Sequence, residues 1–445
     1  MTAAHSWFLV ILGYALMLAW PVSTVALLSF GLRYLASHRQ SSPTRRLDGT
    51  PEHFWIIVPA LNEEVVVGNT VNAALGLRGP SGTLARVLVV DDGSDDRTPD
   101  VLAAIDSPRL RVLRRDLPEA RKGKGEALNA AYRLISQISA EEGVSPDLVV
   151  VGIIDGDGQG SPNILLEISR MLRDPRIGAV QVQVRIRNRH RILGAVQDLE
   201  FGAIVSACQT LRDTLDTVGL GGNGQFTRLS ELQALGDTPW SACLVEDLEL
   251  GLRMHLAGVG IRYTSRTAVT QQAVVDFRRL TRQRTRWAQG NLQCARYLSR
   301  LIRSTKVRPT ALLEVLHYLI SPWLNALVTI AVAGAVAVAT LALALGHPLP
   351  YLASWRDLAD TGELWFAVTL FPGLIWAVVH RVRLGDETPG RLLVAALAYP
   401  AFLLLGQVAT YRAIVRQARG QQTWAKTERL MEEPVHAPRQ IALAA

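Results

Sequence analysis

The sequence predicts an α/β domain with a mostly parallel sheet, flanked on both sides by transmembrane helices. Three observations carry that prediction. Short runs rich in Val and Ile alternate with helix-like stretches between residues 54 and 186, the pattern of a sheet buried on both faces. Residues 7–36 and 310–415 are strongly apolar. The net charge is +8, and its basic excess gathers beside those apolar segments, as at the cytoplasmic face of a membrane with its anionic lipids.

Residues 1–36 are expected to form an N-terminal anchor. The apolar stretch from Trp7 to about Leu32 is too long for a signal-peptide core and has no basic residues before it. About 20 apolar residues suffice to cross a bilayer. Arg33, Arg39, Arg45 and Arg46 follow it and place the next segment in the cytoplasm. Residues 37–50, with Ser41-Ser42-Pro43-Thr44-Arg45-Arg46, read as a polar linker.

The cytoplasmic domain is assigned to residues 51–275. Strands are expected at Phe54–Pro59, Arg86–Asp91, Leu110–Leu113, Leu148–Ile154 and Ile177–Ile186. Helices are expected over Glu63–Leu77, Arg97–Ile105, Gly125–Gln137 and Asn163–Leu172, with another opening at Glu246 and running to about Ala257. Residues 276–309 form a basic amphipathic pattern in which Leu280, Trp287, Cys294 and Leu301 recur every seven residues. Such a helix suits a membrane interface or the flank of the domain.

Residues 310–415 hold three hydrophobic runs, near 312–345, 364–379 and 392–411. The first contains Pro322 and is expected to combine a turn with a span. Three spans would leave the tail, residues 416–445, outside. Arg412, Arg416, Arg419, Lys426 and Arg429 favour the inside, so one run is expected to be interfacial, re-entrant or a hairpin. Cys208, Cys243 and Cys294 have no CxxC or metal spacing and read as reduced thiols. No nucleic-acid-binding module accompanies the positive charge.

In open α/β sheets ligands bind beyond the carboxyl ends of the strands. Asp91-Asp92-Gly93-Ser94 ends one expected strand and Asp155-Gly156-Asp157 ends another. Carboxylates of the second cluster are hard ligands of the kind Mg²⁺ or Mn²⁺ prefers, and such ions bridge to diphosphates. An acidic side chain of the first can accept hydrogen bonds from a nucleobase or ribose. Lys122-Gly123-Lys124-Gly125 lacks the Walker A frame, yet a lysine opening a helix can meet phosphate. Glu246-Asp247 either serves a helix first turn or supplies a general base, which an ordinary Asp, ionised at neutral pH, would do. Gln283-Arg284-Thr285-Arg286-Trp287 joins cations able to neutralise a leaving diphosphate to a flat aromatic face.

Taken in order, these clusters resemble the family 2 glycosyltransferases of GT-A fold, in particular the membrane-embedded branch with the cellulose, chitin, hyaluronan and poly-N-acetylglucosamine synthases. The resemblance covers residues 54–303. It implies an inverting transfer from a UDP-sugar, with a divalent cation (Mg²⁺ or Mn²⁺), to a growing β-linked polysaccharide at the cytoplasmic membrane. The alternative is transfer of a single sugar to a lipid acceptor. It implies donor contacts from Pro59, Asn62 and Glu63, from Asp92, from Lys124, from Asp155, and from Gln283, Arg284 and Arg286. Asp155 and Asp157 match the DxD metal motif, with Asp157 the direct ligand. Asp247 matches the catalytic base of the Thr-Glu-Asp motif. Gly222, Asn223, Glu246 and Trp287 stand at acceptor positions, and Trp424 to Arg429 resembles a tail found in some bacterial members. The chain departs from the pattern at Val245, where Thr is usual, and in Gly221 to Gln225, which lacks the cellulose-synthase loop.

Overall fold

The structure is a computed structural model and describes residues 53–347, 354–421 and 429–431. The expected anchor, the linker and most of the tail lie outside these residues.

The amino-terminal half alternates strand and helix. β1 (His53–Ala60), α1 (Val67–Leu75), β2 (Arg86–Asp91), α2 (Thr98–Ala103), β3 (Leu110–Arg114), α3 (Lys124–Glu141) and β4 (Val149–Ile153) follow one another. β1 pairs in parallel with β2, bringing Ala60 opposite Asp91, and with β4, bringing Ile57 opposite Ile153. The acidic ends of β2 and β4 therefore emerge at one edge, either side of β1. Alternation along each strand serves two cores. Ile56, Val58, Val87, Val89 and Val150 pack with Val67, Val71 and Leu165 on one face. Trp55, Ile57, Leu88, Val90 and Val151 pack with Leu128, Ile135 and Leu250 on the other.

β5 (Gln159–Gly160), α4 (Ile164–Met171), β6 (Ile177–Ile186), α5 (Ile192–Leu199), a π-helical segment (Glu200–Val205), α6 (Ser206–Leu215), β7 (Gln225–Arg228), α7 (Leu229–Ala234), α8 (Glu246–Ala257) and β8 (Gly260–Gln271) complete the domain. The eight-stranded sheet has the order β3-β2-β1-β4-β7-β6-β8-β5. It is mixed. β7 runs antiparallel to both β4 and β6, and β5 antiparallel to β8. Sequence patterning missed β5, β7 and β8. β7 spans four residues, Gln-Phe-Thr-Arg, and β8 is rich in Thr and Arg, so neither shows the apolar run that marks the buried parallel strands.

The basic amphipathic stretch is α9 (Phe277–Cys294), capped by the Asp276 side chain accepting the Arg279 N–H, followed by a 3-10 turn and α10 (Leu298–Ile302). Leu280, Cys294 and Leu301 are buried, as the seven-residue recurrence requires. The three hydrophobic runs become α11 (Pro309–Ala344), α12 (Trp355–Arg383) and α13 (Pro389–Ala418). α11 runs as one helix through Pro322, so the expected turn is absent there. Among the described residues, α11 and α13 are long and apolar enough to cross a membrane; α12 is not among them, and a multi-pass arrangement is not supported.

These helices sit on the sheet domain through two apolar clusters. One joins Val196, Leu199 and Leu280 to Trp376, Leu392 and Tyr399. The other joins Leu248, Leu252 and Tyr297 to Val315 and Leu319. A buried polar hub adds to the first: Asp198 accepts from Arg185 at 3.2 Å and lies 2.8 Å from Nε2 of the buried His380. The sulfurs of Cys243 and Cys294 lie 4.0 Å apart as free thiols.

Candidate active site

The strand ends, α8, α9, the π-helical segment and α11 enclose one cavity of about 630 Å³. At one end lie Pro59, Glu63 and Asp92. Asp92 is buried and pairs with Arg115. Burial raises its carboxyl above the usual range, against the lowering effect of that guanidinium. Asn62 stands outside the cavity wall. Its side chain donates to Asp95 at 2.6 Å and accepts the Asp95 N–H at 2.9 Å, so it ties the β1 turn to the β2 turn.

At the centre Lys124 opens α3 with Nζ 2.6 Å from Asp155 and 3.6 Å from Glu246. Burial opposes its charge, but Asp155, Glu246 and Asp247 outweigh that and hold the ammonium above its ordinary pKa. Burial likewise opposes the charge of Asp155, and Lys124 outweighs it, lowering that carboxyl. Asp247 is pushed up to about 7, by burial first and then by the charge of Glu246. This overturns the expectation of an ordinary Asp. Gly222 lies outside the lining itself but shapes it. At φ +69° its backbone passes so near that an added Cβ would sit 2.9 Å from Asp247 Oδ2, a place only glycine can take. Asn223 lines the cavity, accepts the Asp155 N–H at 3.2 Å and donates to Gln271 at 2.8 Å.

Asp157 is fully buried beneath the cavity. Its Oδ2 accepts the Gln272 N–H at 2.8 Å, and its Oδ1 lies 3.0 Å from the Arg429 guanidinium. Gln272 in turn holds Leu430 by two hydrogen bonds of 2.9 Å, one to its carbonyl and one from its N–H. The tail thus returns to the Asp-Gly-Asp turn. Among the described residues, no group of three or more His, Cys, Asp and Glu is gathered for a metal. Asp157 Oδ1 nevertheless is a buried oxygen without a hydrogen-bond donor, balanced by a cation. That oxygen, with the Lys124-paired carboxylate of Asp155 two residues before it, is a hard donor of the kind a divalent ion takes alongside diphosphate and water.

Gln283, Arg286 and Trp287 reach the cavity from α9. Burial lowers the Arg286 pKa, and Glu246, Asp247 and Asp155 oppose that shift. Arg284 lines the same cavity, with its guanidinium held by a carboxylate. Its guanidinium forks onto Glu200, with one bond of 2.8 Å, and lies 4.5 Å from the Trp287 ring centroid. Phe201 meets Trp287 edge-on at 6.4 Å. Tyr318 and Pro322 of α11 close this end.

The sequence profile described as "Glycosyltransferase like family 2" matches residues 51–290, more than half of the chain. The chain belongs to that family. A β-monoglucosyldiacylglycerol synthase of Trichormus variabilis is 31% identical over 258 residues, 57% of this chain and 52% of its own length. A poly-β-1,6-N-acetyl-D-glucosamine synthase of Staphylococcus epidermidis is 29% identical over 244 residues, 54% of each chain. The chain spans about half the length of the curated relatives it matches. A mannosyltransferase of Pyrobaculum calidifontis, solved with GDP-Man and Mn²⁺, superposes with a TM-score of 0.56 at 19% identity over 86% of this chain and 98% of its own. That likeness shows the GT-A fold.

For this family 2 glycosyltransferase, sequence reasoning missed Arg115, Arg121, Glu200, Phe201 and Tyr318. Arg115 and Arg121 stand in a basic stretch before Lys124 that carries no motif. Glu200 and Phe201 had no signal, because a π-helical segment has no periodicity of its own to read.

Proposed function

We propose that the chain transfers a single sugar, with inversion, from a UDP-sugar to the hydroxyl of a membrane lipid. The observation that carries the acceptor class is the cavity wall. Tyr318 and Pro322, which face the same space as Asp247, belong to α11, a helix apolar and long enough to span a bilayer. A lipid hydroxyl at the membrane surface can enter that end without leaving the bilayer. The relatives named as glucosyldiacylglycerol synthases support the same reading.

In this reading Asp92 and Glu63 receive the nucleoside, and Lys124 and Arg286 face the diphosphate. Their positive charge opposes the negative charge that grows on the leaving group. Asp155 and Asp157 would hold a divalent cation, which when bound supplies further charge neutralisation at the diphosphate. Asp247 Oδ takes the proton of the acceptor hydroxyl as its oxygen attacks the anomeric carbon. The departing diphosphate leaves from the opposite face, which inverts the linkage. A base whose pKa lies near the working pH suits that transfer. Trp287 offers its ring to the acceptor end. Asp155 and Asp247 flank Lys124, so one cation organises both halves of the reaction.

The test uses the full chain in mixed micelles with Mn²⁺, diacylglycerol and a panel of radiolabelled UDP-sugars and GDP-mannose. One labelled glycolipid of a single size is the expected product. A ladder of water-soluble oligosaccharides would overturn the lipid reading in favour of a polymer synthase.

A further inference from the structure

The charged pair at the outer end of the cavity has no part in the transfer chemistry above. Glu200 opens the π-helical segment, and Glu200, Phe201 and Val205 all line the cavity. Bonding from i to i+5 widens that turn, and such bulges recur at functional sites. Arg284 donates both arms of its fork to the two carboxylate oxygens of Glu200. The side chains are 14% and 18% exposed, reachable from the cavity yet shielded from bulk water. The guanidinium also lies 4.5 Å from the ring of Trp287 and 5.1 Å from that of Phe402. Its fork is thus committed to Glu200 and its planar body is packed among aromatic rings.

We propose that the Glu200–Arg284 pair selects the acceptor, admitting a neutral head whose hydroxyl donates to Glu200 and rejecting a head that carries phosphate. A carboxylate bound bidentately keeps lone pairs that can accept further hydrogen bonds. A phosphate at that place meets a like charge in a shielded site, which is strongly unfavourable. It also finds the arginine fork, the natural partner of phosphate, already occupied. The inference rests on the lipid-acceptor reading of this cavity and narrows it to uncharged lipids.

The experiment compares wild type, Glu200→Gln and Glu200→Gln/Arg284→Gln in mixed micelles with diacylglycerol or with a polyprenyl phosphate. UDP affinity by calorimetry reports whether the donor end of each variant is folded. In the wild type diacylglycerol is the preferred acceptor. In Glu200→Gln the diacylglycerol KM rises by about tenfold while kcat and the donor KM move much less, the scale of one lost charge-assisted hydrogen bond. The same variant frees Arg284, and kcat/KM for polyprenyl phosphate rises by about tenfold or more. The double variant leaves no unpaired buried charge, so it guards against a folding failure. It loses the phosphate gain while keeping the raised diacylglycerol KM. An active wild type whose preference survives Glu200→Gln with UDP binding intact overturns the inference alone. A wild type that glycosylates neither lipid overturns the acceptor reading and this inference with it.

Discussion

The two ends of the cavity are built in opposite ways. The proposed donor end is made of short turns at the carboxyl ends of β1, β2 and β4, and it gathers the charged groups Glu63, Asp92, Arg121, Lys124 and Asp155. The proposed acceptor end is made of side chains on the π-helical segment, α9 and α11, where the aromatic rings of Phe201, Trp287 and Tyr318 stand beside the Glu200–Arg284 pair. The donor end holds its chemistry in a few carboxylates and cations a short span apart, so removing one changes the electrostatics of all. At the proposed acceptor end, selectivity would rest on packing and on one ion pair. Losses there are expected to be smaller and to fall on a different kinetic constant.

Replacing the proposed base tests this contrast most severely. Asp247→Asn is expected to lower kcat by about 10²- to 10⁴-fold, the range of general base catalysis. UDP affinity measured by calorimetry should change little. A variant that retains near-normal turnover would remove Asp247 from the mechanism.

Lys124→Ala should come next. Asp155 and Glu246 would lose their shared partner, and donor affinity is expected to fall by about 10- to 100-fold. Because the Lys124 charge lowers the Asp247 pKa, its removal should also move the acid limb of the pH–rate profile upward. A limb that stays in place would show that the two groups are not coupled.

The wild-type profile follows from the same shift. Asp247 with a pKa of about 7 must be ionised to accept a proton. kcat/KM is therefore expected to fall as pH drops through about 7, by about tenfold per pH unit below it. A rate that stays flat down to pH 5 would mean an unshifted base.

At the other end the expected effect is smallest. Tyr318 stacks under the Arg212 guanidinium at 4.1 Å and lines the cavity. Tyr318→Ala should raise the acceptor KM by about three- to tenfold through lost aromatic contact and leave the donor KM alone. A change confined to the donor KM would reverse the assignment of the two ends.

The same contrast explains what could be read beforehand. β2 and β6 run from Arg86 to Asp91 and from Ile177 to Ile186, as the Val and Ile runs indicated. α8 begins at Glu246 and ends at Ala257, marked by its acidic first turn and by Gly258 after it. Motifs at strand ends are legible because a tight turn and its ligand groups are contiguous in the chain. Asn62 shows the limit of that logic. It lies within a donor-side motif, yet its amide braces a neighbouring turn. Arg284 shows another: it lines the same cavity as Arg286, two positions on, yet its guanidinium is taken up by Glu200, a partner 84 residues away in the chain. β7 and β8 were hidden because strands with polar faces resemble loops in composition. The shifted Asp247 was hidden because burial depends on neighbours from α3 and the Gly221–Asn223 loop.

The return of the chain to Asp157 through Arg429 has a practical corollary. A protein shortened after α13 to aid crystallisation would lose a guanidinium from the reaction centre along with the trimmed residues. Weak nucleotide binding by such a fragment would then report the missing counterion, and a laboratory comparing truncated with intact enzyme would be measuring two different electrostatic environments.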